Sequence, residues 1–398
     1  MASFSTSSSS SPSSPQPLSG GVAALREFAQ LWQAEVDDYV IAMEFSPDGR
    51  QVAVAPEGGP IAVLDAGSGE VVHRLKGHRG GNNALSWHPS SRVLATGGQD
   101  GFIHLWNFGG PGSPFSQDKS APAASAAPAA PGAVLTPLLL EGGEGWVEHL
   151  AWSRPDSSNP TFPRLASASG RTLRLWDSLG KLVREFVQYP KAISALKWLG
   201  SKQMISTASF GGVAVWGSSD GQLKRTLDYR NPLISLSWSP DLRWCVAGTQ
   251  DQGIHVWRTT HQPDEMQMSG FAAKVREMAW HKGSRWFVTG GAPEVAVWDC
   301  GGPGPAGREP RQLAWHEDIV SAVACQARGP LAVSGAADGG LAVWNVEVPN
   351  VDVETNLEVP LSTLNLAAEL VQLAWSPDDR LVLTGDSDGE VRLFRVGL

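Results

Sequence analysis

Apolar residues along this chain come in short alternating or β-branched runs, each about five to seven residues long, divided by Gly, Pro, Asp and Ser. Such runs read as strands, and punctuation such as FSPDGR, WSPDLR and WSPDDR reads as tight turns. No segment carries the period of an amphipathic helix. One phrase recurs with a large residue near its end: AMEFS, ALSWH, HLAWS, ALKWL, SLSWS, EMAWH, AVACQ and QLAWS. Its markers are Phe45, Trp87, Trp152, Trp198, Trp238, Trp280, Cys325 and Trp375, spaced 40 to 65 residues apart.

A second phrase follows each first one: IAVLD, IHLWN, LRLWD, VAVWG, IHVWR, VAVWD, LAVWN and VRLFR. Its markers are Leu64, Trp106, Trp176, Trp216, Trp257, Trp298, Trp344 and Phe394, spaced 40 to 70 residues apart. Two independent markers therefore divide the chain into the same eight units. Between the phrases lies a third strand, as in VLATGG (93–98), WCVAG (244–248) and LAVSG (331–335). A more polar fourth strand follows, as in EVVHRL (70–75), KLVREF (181–186) and RQLAW (311–315).

A unit of about 40–45 residues with four strands and a terminal Trp-Asp resembles the repeat of the WD40 family of β-propellers. The resemblance rests on LWN, LWD, VWD and VWN at the unit ends, with GH at 77–78 and SPDG at 46–49. It extends over residues 24–398. It implies an all-β propeller of four-stranded antiparallel blades. The marker count predicts eight blades, or seven if the first unit, whose IAVLD lacks tryptophan, packs differently. Of the 17 tryptophans, twelve lie at the two marker phases, where bulky rings fill the gaps between blades.

The last unit ends at VRLFRVGL without a fourth strand. ALREFAQL (24–31) resembles the other fourth strands and is predicted to supply it, so that an N-terminal strand pairs with the C-terminal blade and removes a sheet edge. Longer gaps place the insertions. A disordered Pro/Ala/Gly-rich loop (109–133) falls between the third and fourth strands of unit two. Residues 301–310 and 346–358 occupy the same connection in units six and seven, and 153–163 lengthen the first turn of unit three. Strand alternation puts all four on one face and leaves the opposite face with short turns.

Charge narrows the function. With 31 basic and 40 acidic residues the formal net charge is −9, which speaks against a phosphate-tracking surface. The 3 cysteines lie far apart without a C-x-x-C pair, arguing against a disulfide framework or a thiolate zinc site and for a reducing compartment. No apolar run is long enough for a membrane-spanning helix. The Ser/Pro-rich residues 1–23 lack an apolar signal core and are expected to be a disordered tail. A cytoplasmic location follows, with the nucleus as an alternative, or a plastid if that tail is a transit peptide.

One set of residues invites a catalytic reading. His78, Thr96, Asp100 and Trp106 contain the residue types of a hydrolase triad, and His316, Ser334, Asp338 and Trp344 repeat them. The spacings are identical: 18 residues from His to hydroxyl, 4 to Asp and 6 to Trp. Two separate active sites with one spacing are improbable in a repeat protein. WD-repeat proteins carry such sets as structural hydrogen-bonded tetrads, and the resemblance implies that role here. No phosphate loop, nucleophile elbow, metal-ligand set or cofactor motif appears.

The resemblance also implies that partners bind the face carrying the first-strand entrances and the second-to-third strand turns. Tyr39, Trp146 and Lys274 lie six residues before a first-strand marker, and Arg79 and Arg230 lie eight before one. Gln99 and Gln250 stand beside the turn aspartates. Such a mixed aromatic and basic set suits an interface. The expected function is a non-catalytic scaffold that binds protein or peptide partners, as a monomeric ring or a subunit of a hetero-complex. A propeller enzyme or a small-ligand or metal binder using the central channel is the alternative of another class. A substrate receptor of a ubiquitin ligase is a third, although LWDSL and VWDCG lack the Arg of the Trp-Asp-x-Arg often found in such adaptors.

Overall fold

A computed structural model describes residues 27–109, 130, 132–159, 163–186, 189–200, 203–260, 264–352, 355 and 357–397. The expected tail at 1–23 and most of the 109–133 insertion lie outside them. The described residues contain no α-helix and form eight antiparallel sheets, one per marker pair. Blade one runs Val40–Phe45, Gln51–Pro56, Ile61–Asp65 and Val71–Leu75. Blade two runs Asn82–Trp87, Val93–Gly98, Phe102–Asn107 and Leu138–Glu141. Blades three, five, six and seven repeat this order, starting at Val147, Ser237, Met278 and Val320.

Blade four differs in that its second and third strands form one run, Met204–Gly217, so its sheet counts three strands. The first half pairs with Ile193–Leu199 and the second with Leu223–Pro232. The Tyr189 hydroxyl touches both Thr207 and the Trp216 indole. An extended strand would set residues that far apart by roughly 30 Å. The run is therefore a hairpin, turning at Gly211 and Gly212, whose φ values are +100° and +126°.

The tryptophans sit where the period needs bulk. In blade two Trp87 pairs with Leu94, and Leu94 with Trp106. Directly opposed residues share a face, so both marker rings lie on one side of the sheet. That side packs on Ala53, Ile61, Val63 and Leu75 of blade one. Trp257 packs likewise on Val213 and Leu227 of blade four, and Trp344 on Val288, Val297 and Leu313 of blade six. First-phase indoles also bond across the blade junction. Trp87, Trp198 and Trp375 donate to the carbonyls of Glu44, Ala151 and Ala324 in the preceding blade, at 3.3, 2.8 and 3.1 Å.

An N-terminal strand closes the ring, but its position differs from the sequence expectation. Phe28–Glu35, rather than 24–31, pairs antiparallel with Glu390–Val396, from Phe28 opposite Val396 to Glu35 opposite Glu390. Trp32 sets this register: it is 7% exposed, packs among Val40, Val54 and Leu393, and donates its N–H to Ala66 O at 2.9 Å. Blade eight carries a buried ion pair, with Arg392 Nη1 at 2.8 Å from Asp386 Oδ2.

The turns explain the SPD signatures. Ser46 Oγ donates to Asp48 Oδ1 at 2.6 Å, and the same bond recurs at Ser239–Asp241 and Ser376–Asp378. Residues 301–310 and 346–358 connect third to fourth strands, and 153–163 connect first to second. These long connections all emerge opposite the second-to-third strand turns.

Candidate docking face and the braces behind it

The second-to-third strand turns and the entrances to the first strands share one face, and the braces lie directly beneath them. In blade two, His78 Nδ1 lies 2.9 Å from Asp100 Oδ1 and Nε2 lies 2.9 Å from Thr96 Oγ1, while Trp106 Nε1 donates to Thr96 Oγ1 at 3.1 Å. One tautomer satisfies every group: Nδ1–H donates to the carboxylate, Nε2 accepts the hydroxyl proton, and the hydroxyl oxygen accepts the indole N–H. Burial pushes the Asp100 carboxyl up, but the His78 bond and the amides of Phe102 and Arg79 outweigh it and hold it below its usual range. Burial also pulls His78 down, against the pull of Asp100, and keeps it neutral.

Blade seven has the same residues with one looser link. His316 Nε2 lies 2.7 Å from Ser334 Oγ, and Trp344 donates to that oxygen at 2.8 Å. His316 Nδ1 stands 3.7 Å from Asp338 Oδ1, beyond hydrogen-bond reach. Asp338 instead accepts the amides of Glu317 and Gly340 at 2.7 and 2.6 Å.

Other blades improvise. His78 lies nine residues before the first-strand marker Trp87, and that offset finds Tyr189 and Tyr229 in blades four and five. The Tyr189 hydroxyl lies 2.6 Å from Thr207 Oγ1 and accepts the Trp216 indole N–H, so one phenol does the bridging work of a histidine. In blade five Tyr229 takes the His place and Ala247 the hydroxyl place, and Trp257 Nε1 is left buried without a partner. Sequence reasoning passed over both tyrosines because it searched by residue type; the nine-residue offset was the available signal. It also passed over His104, which stacks on His78 with ring centroids 3.9 Å apart. Ligand atoms of His78, Asp100 and His104 all lie within 4.8 Å of one another. Both His78 nitrogens are already committed to the brace, however, and a metal ion would have to dismantle it.

On the face itself, Asp100 Oδ2 accepts the Arg79 amide at 3.0 Å, and Gln99 N–H donates to Gly81 O at 3.0 Å. Arg79, Arg230, Gln250 and Lys274 are exposed, and Trp146 is 52% exposed at the entrance of blade three. Tyr39 is half-buried; burial raises its phenol first, and Glu369, Glu57 and Glu277 add to that while Arg276 opposes. These residues come from five blades around the ring. Arg79 and Gln99 meet at blade two and Arg230 and Gln250 at blade five, while Tyr39, Trp146 and Lys274 stand at the entrances of blades one, three and six. Of the seven, Arg230 lines a described cavity, at the junction of blades four and five.

A second space is the central channel, about 530 Å³, lined by first-strand residues including Asn83, Glu148, His149, Lys197 and Gln372, and by Arg276 just before the first strand of blade six. Beside it Glu44 Oε2 accepts the Trp87 amide at 3.0 Å. Burial pushes the Glu44 carboxyl up to about 7 against that bond and against Lys197.

Comparison with known proteins matches this architecture. The family model described as WD domain, G-beta repeat matches residues 69–107, 221–258, 307–345 and 360–395. These are blades two, five, seven and eight with the outer strand before each. They are the blades whose turn carries Asp100, Asp251, Asp338 or Asp388; the others have Gly58, Arg171, Gly211 or Pro293 there. The chain is 23% identical over 286 residues to the anaphase-promoting complex subunit cdc20 of Dictyostelium discoideum, covering 69% of this chain and 51% of that protein. It is 24% identical over 248 residues to cell division cycle 20.1, cofactor of APC complex, of Arabidopsis thaliana, covering 60% and 49%. It is 22% identical over 267 residues to the B-type cell cycle switch protein ccs52B of Medicago truncatula, covering 65% and 49%. The chain thus spans about half the length of these relatives. In fold it is similar to the crystal structure of the computationally designed Ika8 protein, with a TM-score of 0.67, 22% identity, and 91% of this chain and 98% of that one covered. Four repeat matches set in a ring of eight blades make the chain a member of the WD40-repeat β-propeller family.

Proposed function

We propose that the chain is a non-catalytic adaptor that binds a protein or peptide partner on the face of the second-to-third strand turns. The observation that carries this reading is the engagement of Asp100 and Asp338. Each carboxylate holds the amide of a residue on that face, Arg79 or Glu317, while a buried histidine stands behind it. The braces spend their polar groups on fixing the face. Preorganised loops lose little entropy on binding.

The same geometry argues against hydrolysis. Thr96 is 0% and Ser334 1% exposed, and each hydroxyl oxygen already accepts an indole N–H. A nucleophile must reach the substrate carbonyl, and these hydroxyls are sealed inside a blade. WD40 propellers are in general not enzymes. Similarity to relatives named as a subunit or cofactor of the anaphase-promoting complex supports work through protein partners within a complex. The narrower reading, a substrate receptor of a ubiquitin ligase, draws its support from those names. The central channel, with Glu148, His149 and Lys197 along its wall, supports small-ligand binding as the reading of another class.

Affinity purification from native extract tests the adaptor reading, comparing the wild type with Trp146→Ala and Arg79→Glu. Partners lost from either variant at an unchanged melting temperature support it. Identical recoveries, together with a thermal shift induced by a metabolite or metal, would favour the channel.

A further inference from the structure

Blade five keeps the turn aspartate and the terminal tryptophan of a brace but lacks its middle, and a cavity of about 840 Å³ lies beside it, against the outer strand of blade four. The cavity wall is aromatic. Ring centroids of Tyr229 and His255 are 4.7 Å apart, and those of His255 and Trp257 are 4.4 Å apart. Its rim is acidic: Asp228, Asp251 and Glu265 line it against one permanent cation, Arg230. Burial pulls the His255 imidazole down, outweighing Glu265, and keeps it neutral. His255 Nε2 lies 3.3 Å from Glu265 Oε2, which places the ring proton there. The buried Nδ1, without a hydrogen-bond partner, is then an acceptor.

A second cavity of about 340 Å³ adjoins the first through Gly211, Thr226 and Asp228. Its lining is apolar, with Tyr189, Pro190, Phe210, Val213, Trp216 and Leu223. Phe210 is 47% and Leu223 48% exposed, so two large apolar side chains remain outside any blade core. Both cavities meet at the hairpin turn of blade four, on the face assigned above to partners.

We propose that this groove docks a peptide segment carrying a lysine or arginine side chain beside an apolar one. The inference rests on the adaptor reading and names its partner's chemistry. A cation gains from three carboxylates and from the face of half-buried Tyr229. An anionic segment or a nucleic-acid backbone would meet those carboxylates as like charges. The neighbouring apolar cavity takes the second side chain, covering Phe210 and Leu223. Two unlike anchors side by side recognise a sequence rather than a charge alone.

Selection of a random dodecapeptide library on the intact chain tests this, followed by anisotropy titration of the enriched peptides. The expected result is enrichment of sequences pairing Lys or Arg with Leu, Ile or Phe. Asp251→Lys with Glu265→Lys should weaken those peptides by about tenfold or more, and Phe210→Ser by a smaller factor. Leu179→Ser, at an exposed position in a third-to-fourth strand connection on the opposite face, should leave them unchanged. Each substituted residue is exposed, so circular dichroism should show an intact fold. Enriched peptides that are acidic, or that keep their affinity for both groove variants, would overturn the groove. If those peptides instead lose affinity for Trp146→Ala or Arg79→Glu, the groove fails and the adaptor reading stands. No enriched peptide, together with no partner lost in the extract experiment, would overturn both.

Discussion

The hydroxyl of Tyr189 lies 2.6 Å from Thr207 Oγ1 and closes in blade four the bridge that His78 closes in blade two. A phenol and an imidazole differ in charge and acidity, but both can hold a buried hydroxyl and lead on to an indole N–H. What blades share is the position and the demand for a polar bridge, more than the residue type.

That equivalence predicts the effect of removing one atom. Tyr189→Phe keeps the ring but leaves the Trp216 N–H and the Thr207 hydroxyl without their partner. Thr207 is 0% exposed, so water cannot compensate freely. Denaturant unfolding should show a loss of about 1–3 kcal/mol. A loss of a few tenths would mean that the phenol merely fills space.

Blade five allows the converse experiment. Ala247 is fully buried at the position where blades two, three and seven carry Thr96, Ser167 and Ser334, each accepting an indole N–H. Ala247→Ser should give Trp257 Nε1 its acceptor and raise stability by roughly 0.5–1.5 kcal/mol. A destabilised protein would show that this junction has no room for the extra oxygen.

Ring closure depends on Trp32. Trp32→Ala should cost about 3–5 kcal/mol through the emptied junction between blades eight and one. Deletion of residues 1–35 should lower the melting temperature sharply, whereas deletion of residues 1–20 leaves the paired strand, which begins at Phe28, in place. Equal melting temperatures for the two deletions would refute the latch.

Acid should weaken the ring as its buried histidines titrate, against an opposing gain from Glu44, whose raised carboxyl takes up its proton in the same range. Burial pulls His88 and His104 down to about 4 from an ordinary value of 6.5. Between those values the unfolded chain binds protons that the folded chain refuses. The stabilisation is therefore complete above pH 6.5 and is lost as the pH falls toward 4. The loss approaches about 3 kcal/mol for each histidine. Midpoints of urea unfolding measured from pH 7.5 to 4.5 should fall across this window, and less so in His104→Gln. A flat profile would show that the histidines titrate alike in both states.

The fold was legible because one physical need recurs. Every blade must bury a large ring against the blade before it, and the chain meets that need with tryptophan at two fixed phases. The braces were legible where the residues repeat, at His78 and His316, and hidden where chemistry substitutes, at Tyr189 and Tyr229. The latch was legible as a missing strand, but its register was misplaced by four residues. Polar alternation in ALREFAQL imitates other outer strands, while the true register answers to the burial of Trp32, a contact made across the ring closure. The groove of blades four and five could not be read from periodicity, because it exists where the period fails: at a fused hairpin and at a brace without its hydroxyl.

Hydrogen–deuterium exchange of the chain, alone and with a captured partner, tests the central claim most directly. The account predicts protection at the blade entrances and second-to-third strand turns, around residues 79–81, 99–100, 144–147, 209–212, 228–232 and 250–252. Protection confined to the long connections of the opposite face, around 153–159, 301–310 and 346–352, would contradict it.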